Sequence, residues 1–219
     1  MTGARLSFVV FDLDGTLVDS RRDLSDAVNA MLVSFRITPL DDARVTKMIG
    51  DGAATLVARA FEAAGVPQPS NALARFLACY DTRLLATSHA YPGVKKALRV
   101  LARDRRLAVL TNKPLGPTRR ILDGLDLAKF FEPRAVVGGD GPYGRKPDPA
   151  GLRSLIEMAG VDAASTVLVG DSPVDRMTAR AAGVRVCVAR YGFGFEGRED
   201  ARLDADLAVD HPSQLPAVL

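Results

Sequence analysis

The sequence predicts an α/β fold: a parallel sheet covered by helices, interrupted early by a helical subdomain. Three observations carry this. From Tyr91-Pro92-Gly93 onward, short apolar runs of strand length alternate with helix-length stretches, the pattern of a parallel sheet buried on both faces. One further run, Leu6 to Phe11, stands alone near the N-terminus. Between the two, residues 19–88 read as helix only, so this block is expected to be an insert after the first strand, with 1–18 and 89–219 forming the core.

The first strand, Leu6-Ser7-Phe8-Val9-Val10-Phe11, stops abruptly at Asp12-Leu13-Asp14-Gly15-Thr16. In the insert, Leu24, Val28, Met31, Leu32 and Phe35 recur at spacings of three and four, which is one buried helix face. Leu56, Val57, Ala60, Phe61 and Ala64 form a second stripe that Gly65 and Pro67 stop. Leu73, Phe76, Leu77, Tyr80 and Leu84 form a third, with Ser70 and Asn71 as caps. The chain should pass between core and insert near 18–20 and again near 88–92, at adjacent hinges.

In the second part, a helix with Val94, Ala97, Leu98 and Leu101 precedes a strand at Leu107 to Leu110, and a helix around Ile121 and Leu122 precedes a short strand at Ala135 to Val137. Asp148-Pro149 reads as a helix cap with proline at the first helical position, followed by Leu152, Leu155 and Ile156 and closed by Gly160. A strand at Thr166 to Val169, an alanine-rich helix ending at Gly183, a strand at Val184 to Val188 and a last one at Leu207 to Val209 complete the alternation.

With 219 residues, 47% of them hydrophobic, the chain can bury a sizeable core. Its apolar runs are far shorter than the ~20 residues of a membrane span, and Met1 to Arg5 lead straight into a strand, so no membrane association and a cytoplasmic location are expected. Cys79 and Cys187 are expected to be buried free thiols. The net charge is +3, and even the densest basic cluster, Arg103 to Arg106, is broken by Asp104, which argues against a nucleic-acid partner.

Ligands of open parallel sheets bind at the carboxyl ends of the strands. Every such end here is polar: Asp12 and Asp14; Thr111-Asn112-Lys113-Pro114; Gly144-Arg145-Lys146-Pro147; and Gly170-Asp171-Ser172-Pro173-Val174-Asp175. Clustered carboxylates at buried strand ends are costly unless something positive joins them. Attack of an aspartate on phosphorus would use this set, because a phosphoryl group beside several carboxylates requires a cation with oxygen ligands, Mg2+, and a lysine. Asp171 and Lys146 meet those needs, and Asp175, four residues beyond Asp171, can bond to that lysine or to metal-bound water.

On these residues the chain resembles the haloacid dehalogenase superfamily, and more closely its phosphatases. Asp12-Leu13-Asp14-Gly15-Thr16 looks like the first motif, Thr111 the second, Lys146 the third, and Asp171 with Asp175 the fourth. The resemblance implies a Rossmann-like core with a helical cap, and Asp12 as nucleophile. It further implies that Asp14 protonates the leaving alkoxide and then activates water. Mg2+ would be held by Asp12, the backbone carbonyl of Asp14 and Asp171, with phosphoryl oxygens bound by Thr111, Asn112 and Lys146.

Asp14 argues against dehalogenation, which has no alkoxide to protonate, and the insert's single lysine, Lys47, argues against phosphonate hydrolysis through an imine. Substrate choice is expected in the loop Ile49-Gly50-Asp51-Gly52-Ala53-Ala54, with Gly50, Asp51 and Gly52 as specificity residues. That loop with Leu56, the Thr111 to Pro114 segment, Gly138-Gly139-Asp140 and Arg145 to Pro149 look most like bacterial phosphoglycolate phosphatases. A small phosphorylated metabolite is then the partner, and the protein a monomer or homodimer. The alternatives are a phosphatase of sugar or amino-sugar phosphates or of pyrophosphate, and a β-phosphoglucomutase-like isomerase, whose cap needs more polar grips than 47–59 offers. His89, at the second hinge, and the segment Arg190 to Phe195, which either rims the crevice or packs as an ordinary glycine-rich loop, remain unassigned.

Overall fold

The computed structural model describes residues 5–194 and 205–219; Met1 to Ala4 and Phe195, at the end of the aromatic loop, lie outside the described residues. The core strands are β1 (Phe8–Phe11), β4 (Arg106–Leu110), β5 (Val136–Val137), β6 (Thr166–Gly170), β7 (Arg185–Ala189) and β8 (Leu207–Val209). They form one sheet in the order β5-β4-β1-β6-β7-β8, with every pairing parallel. Helices α5 (Val94–Leu101), α6 (Leu115–Gly124), α7 (Ala150–Ala159), α8 (Pro173–Ala182) and the short α9 (Leu215–Val218) surround it. This is the Rossmann-like α/β class that the alternation of apolar runs predicts.

Side chains alternate across the sheet with the period of two that a strand imposes. Val9 and Phe11 of β1 join Val109, Val167 and Val169 in a cluster with Leu98 and Leu101 of α5 and Ile121 of α6. Phe8 and Val10 point the other way, into Ala108, Leu168 and Val186 with Leu152 and Leu155 of α7. Both faces are thus covered, and water is excluded from the strand ends between them. Phe11 is level with Val109 of β4 on one side and Val169 of β6 on the other. The chain runs outward from β1 to β4 and β5, then returns to β6 on the opposite side of β1, which makes the β1–β6 boundary the switch point where ligands bind.

Between β2 (Val18–Asp19) and β3 (His89–Ala90) lie four helices: α1 (Arg21–Ser34), α2 (Asp42–Thr46), α3 (Ala53–Ala64) and α4 (Ala72–Asp81). They bury a cluster of their own, in which Val28, Met31 and Leu32 of α1 meet Val57 and Phe61 of α3 and Phe76 of α4. The two passages between helices and sheet run side by side as an antiparallel ribbon, Val18 opposite Ala90 and Asp19 opposite His89.

Several local expectations shift. Asp148 does cap α7, its Oδ1 accepting the Ala150 N–H at 2.8 Å, but the helix begins at Ala150, with Pro149 at the N-cap position rather than the first turn. Asn71 occupies the N-cap of α4 without any side-chain bond, and Leu84 lies beyond the helix end at Asp81. The short helix α2 has no apolar stripe to announce it; its start is set by Asp41, whose Oδ1 accepts the Ala43 N–H at 2.8 Å. Both cysteines are free, Cys187 buried and Cys79 only partly covered. Among the described residues, no helix is long and apolar enough to cross a membrane.

Beside the ribbon sits a buried carboxylate that the sequence reading does not single out. Asp23 of α1 accepts four hydrogen bonds: the Thr87 N–H at 2.9 Å and hydroxyl at 2.6 Å, and the Ser88 N–H at 2.9 Å and hydroxyl at 2.6 Å. Burial alone would raise its pKa, but the four donors together hold it below the ordinary carboxylate value. Asp23→Ala leaves two backbone N–H groups and two hydroxyls without an acceptor. It should cost about 3 kcal/mol of unfolding free energy in urea titrations, with Asp23→Asn costing less; an alanine variant as stable as wild type would remove this contact from the list of determinants.

Candidate active site

Asp12 follows β1 directly, and its N–H donates to the Val169 carbonyl of β6 at 2.9 Å, so the strand pairing itself carries this carboxylate to the sheet end. Thr111 follows β4 in the same manner, its N–H donating to the Val137 carbonyl at 3.0 Å. Asp171 follows β6, and Asp175 stands in the first turn of α8. Carboxylate oxygens of Asp12, Asp171 and Asp175 lie within 4.8 Å of one another, all three residues buried.

One lysine holds this cluster together. Lys146 Nζ donates to Asp175 Oδ1 at 2.5 Å and pairs with Asp12 Oδ1 at 2.8 Å. The other oxygen of Asp175 accepts the Ser172 hydroxyl at 2.6 Å and the Ser172 N–H at 3.1 Å, the return half of a capping box in which Ser172 caps α8. Both Asp175 oxygens are therefore in use, which fits the lysine-orienting role expected of it.

Asp171 is fixed from both sides. Thr16 Oγ1 donates to its Oδ1 at 3.1 Å, and the Gly194 N–H to its Oδ2 at 2.7 Å. Gly15, at φ +87°, lies so close that a Cβ there would fall 2.0 Å from Asp171 Oδ2, which is why the turn after Asp14 accepts only glycine. The aromatic loop closes the other side: Tyr191 donates its hydroxyl to the Thr16 carbonyl at 2.9 Å, and Gly192 packs on the Asp171 side chain. Tyr191 to Gly194 thus rim the crevice. His89 sits on β3 facing Thr87, with its Nδ1 3.0 Å from that carbonyl, and does not line the cavity described below.

Asp14 points into a different set. Its Oδ1 accepts the Ser20 hydroxyl at 2.5 Å, and its Oδ2 lies 3.1 Å from Lys113 Nζ. Lys113 also donates to the Tyr80 hydroxyl at 2.8 Å and sits 4.5 Å from the centre of that ring. Burial works against the Lys113 charge, but Asp14 and Tyr80 outweigh it and hold its pKa above the ordinary lysine value. The sequence reading assigns neither Lys113 nor Tyr80: the lysine is one residue of a polar strand end, and the hydroxyl is hidden in an apolar helix stripe. The one available signal is a charged residue between a buried strand and the proline that starts the next helix.

A single cavity joins these groups. Asp12, Asp14, Thr111, Asn112 and Lys113 form its floor, and Leu24, Ile49, Leu56, Phe76, Leu77 and Tyr80 from the helical segment form its roof. Gly50 and Gly52 line it too, at φ +124° and +89°. Asp51 does not: it pairs with Arg59 of α3 at 2.5 Å and faces Ser172 and Phe193 on the other side of the loop. Asn112 is likewise placed differently from expectation. Its side-chain amide donates to the Gly50 carbonyl at 3.2 Å and the Lys146 carbonyl at 3.0 Å, so it fastens the two loops instead of offering those hydrogens to a phosphoryl group.

Burial raises the Asp12 pKa to about 7, with the Asp175 charge adding to the effect and Lys146 opposing it. Asp171 is raised well above its ordinary value, first by burial and then by the charges of Asp12 and Asp175. Two buried carboxylates that resist ionisation, beside a third already bonded to lysine, are a donor set short of positive charge. Hard oxygen ligands of this kind suit a divalent cation. The linkage has a defined sign. Between about pH 3.8 and 7 the folded chain keeps a proton on Asp12 that the unfolded chain releases, so stability falls as pH rises through that window. In EDTA at pH 8, Asp12→Asn should therefore melt higher than wild type, with the difference narrowing toward pH 5; parallel melting curves across pH would contradict the raised pKa.

The family model for haloacid dehalogenase-like hydrolases matches residues 9–189. The chain is 50% identical to the phosphoglycolate phosphatase of Rhodospirillum rubrum over 197 residues, covering 86% of this chain and 81% of that protein. It is 40% identical to phosphoglycolate phosphatase 1 of Pseudomonas aeruginosa over 214 residues, covering 93% and 76%. Among solved structures, that of a predicted phosphoglycolate phosphatase from Haemophilus somnus superposes with a TM-score of 0.84 at 28% identity, covering 96% of each chain. With its motifs gathered at the ends of a parallel sheet and its sequence matched along most of its length, the chain belongs to the haloacid dehalogenase-like hydrolases.

Proposed function

We propose that this protein is a phosphatase of 2-phosphoglycolate, releasing glycolate and phosphate through an aspartyl-phosphate on Asp12. The observation that carries the reading is the convergence of Asp12, Asp14 and Thr111 on one cavity floored by the sheet and roofed by helices, with Lys146 and Asp171 bonded into the same cluster. The R. rubrum relative supplies the substrate. The roof supports a small one: Leu24, Ile49, Leu56, Phe76 and Leu77 present no paired polar groups with which to turn and grip a hexose.

Asp12 Oδ attacks phosphorus and the bond to the glycolate oxygen breaks, its electron pair staying on that oxygen. Asp14 gives that oxygen its proton, so the leaving group departs as the alcohol rather than the alkoxide. A water then takes the place of glycolate, Asp14 takes its proton, and attack on phosphorus frees phosphate and restores the Asp12 carboxylate. Lys146, held between Asp12 and Asp175, offsets charge on the phosphoryl oxygens, and the Thr111 hydroxyl donates to them. Asp12, Asp171 and the backbone carbonyl of Asp14 would hold Mg2+, which supplies charge neutralisation of the phosphoryl group when bound. Gly50 and Gly52 bring the helical segment down as a cap over the cavity, and the Val18–Ala90 ribbon is the hinge on which residues 19–88 move against the core. The cytoplasm is the fitting location for such a metabolite enzyme, working as monomer or homodimer without a nucleic-acid partner.

Phosphate release in the presence of Mg2+ from 2-phosphoglycolate, sugar phosphates, amino-sugar phosphates and pyrophosphate tests this reading. The highest kcat/KM should fall on 2-phosphoglycolate; a sugar phosphate ahead of it would keep the chemistry and overturn the substrate. Asp12→Asn should retain the fold and lose at least about a thousandfold in kcat, since an amide cannot attack phosphorus. Turnover near the wild-type rate would rule out the covalent route.

A further inference from the structure

Of the basic side chains among the described residues, Lys113 alone lines the cavity; Lys146 is drawn back between Asp12 and Asp175. Lys113 is buried to 7% exposure and comes from the core, immediately after the strand end that bears Thr111. An ammonium has three N–H donors. Asp14 takes one at 3.1 Å and the Tyr80 hydroxyl a second at 2.8 Å, and the third faces a space whose remaining walls are largely apolar. Tyr80, accepting from Lys113, keeps its own hydroxyl hydrogen to donate.

The chemistry of the substrate sets where its second anionic group must lie. In 2-phosphoglycolate a single CH2 separates the oxygen that leaves phosphorus from the carboxylate. Whatever group protonates that oxygen must therefore stand about one hydrogen-bond length from whatever group binds the carboxylate. Asp14 and Lys113, 3.1 Å apart, meet this condition. A longer substrate would carry its distal charge past Lys113 into the apolar roof, and a neutral one would leave the third N–H donor unsatisfied.

Building on the proposed function, we infer that Lys113, with the Tyr80 hydroxyl beside it, reads the substrate's carboxylate and is the main determinant of specificity for a two-carbon phosphorylated acid. Asp14 holds the ammonium in position before substrate arrives. The aromatic ring 4.5 Å away and the stacked Phe76, 5.9 Å from Tyr80, keep the lysine from swinging out of line. Because Tyr80 belongs to α4 and Lys113 to the core, the reader is complete only when the helical segment lies over the sheet.

The test compares kcat/KM for 2-phosphoglycolate with that for 2-hydroxyethyl phosphate, which has CH2OH in place of the carboxylate, in wild type, Lys113→Met, Lys113→Arg and Tyr80→Phe. The wild-type ratio should favour the acid. Lys113→Met should lower that ratio by about 10- to 100-fold, Tyr80→Phe by less, and Lys113→Arg should keep most of it. A ratio unchanged within about twofold in Lys113→Met, with both substrates slowed alike, would make Lys113 only a counter-ion of Asp14 and overturn the inference. A wild-type enzyme without preference for the acid would instead overturn the substrate reading, leaving the two failures distinct. Far-UV circular dichroism accompanies each variant, and Lys113→Gln, which keeps a hydrogen bond to Tyr80, replaces the methionine variant if that one does not fold.

Discussion

Three carboxylates and one ammonium share a volume that two layers of helices close to water, and the rest of the structure is arranged to make that tolerable. Asp12, Asp171 and Asp175 would repel one another at any ordinary surface; buried, each also bears a desolvation cost. Their position at the ends of β1 and β6 and at the start of α8 leaves little freedom to separate. Lys146 offsets part of the charge, Ser172 bonds the far side of Asp175, and Thr16 and Gly194 bond Asp171. What these donors leave over is a demand for a further cation, and that residual demand is the source of the chemistry.

The helical segment is tied to this centre at two levels. Asp23 receives four donors from Thr87 and Ser88, where the chain returns to the sheet. Deeper in, Tyr80 of α4 meets Lys113 of the core, which in turn meets Asp14. The first contact secures the base of the segment and the second touches the reactive carboxylate itself. Any shift of α4 relative to the sheet is therefore registered at Asp14 through a single lysine. Asn112 adds a third tie, joining the Gly50 loop to the Lys146 loop through one amide.

How far the sequence could be read depended on whether an element's signal was local. Strand and helix patterns are local, because a buried face requires apolar residues at fixed spacing, and β1, β4 and β6 end within one residue of expectation. Asp12, Asp14, Thr111, Lys146 and Asp171 were legible because polar groups at every strand end are anomalous in a parallel sheet. The capping details were less so. Asn71 is a good capping residue that caps nothing, and Pro149 stands one residue outside its helix, since the neighbouring chain and not propensity decides which N–H groups need a partner.

The order of polar residues along the chain, the alternation that demands a covered parallel sheet and the early helical insert were determined by the sequence alone, because each follows from spacing and from the cost of burying charge. Tertiary structure decided which side each loop residue turns. It sent Asp51 to Arg59 instead of the cavity, committed the Asn112 amide to two carbonyls, and brought Tyr80 and Lys113 together across 33 positions. No spacing rule encodes these choices: a side chain's partner is set by the packing of α3 and α4 over the sheet, and contacts between residues so far apart exist only once both layers are in place.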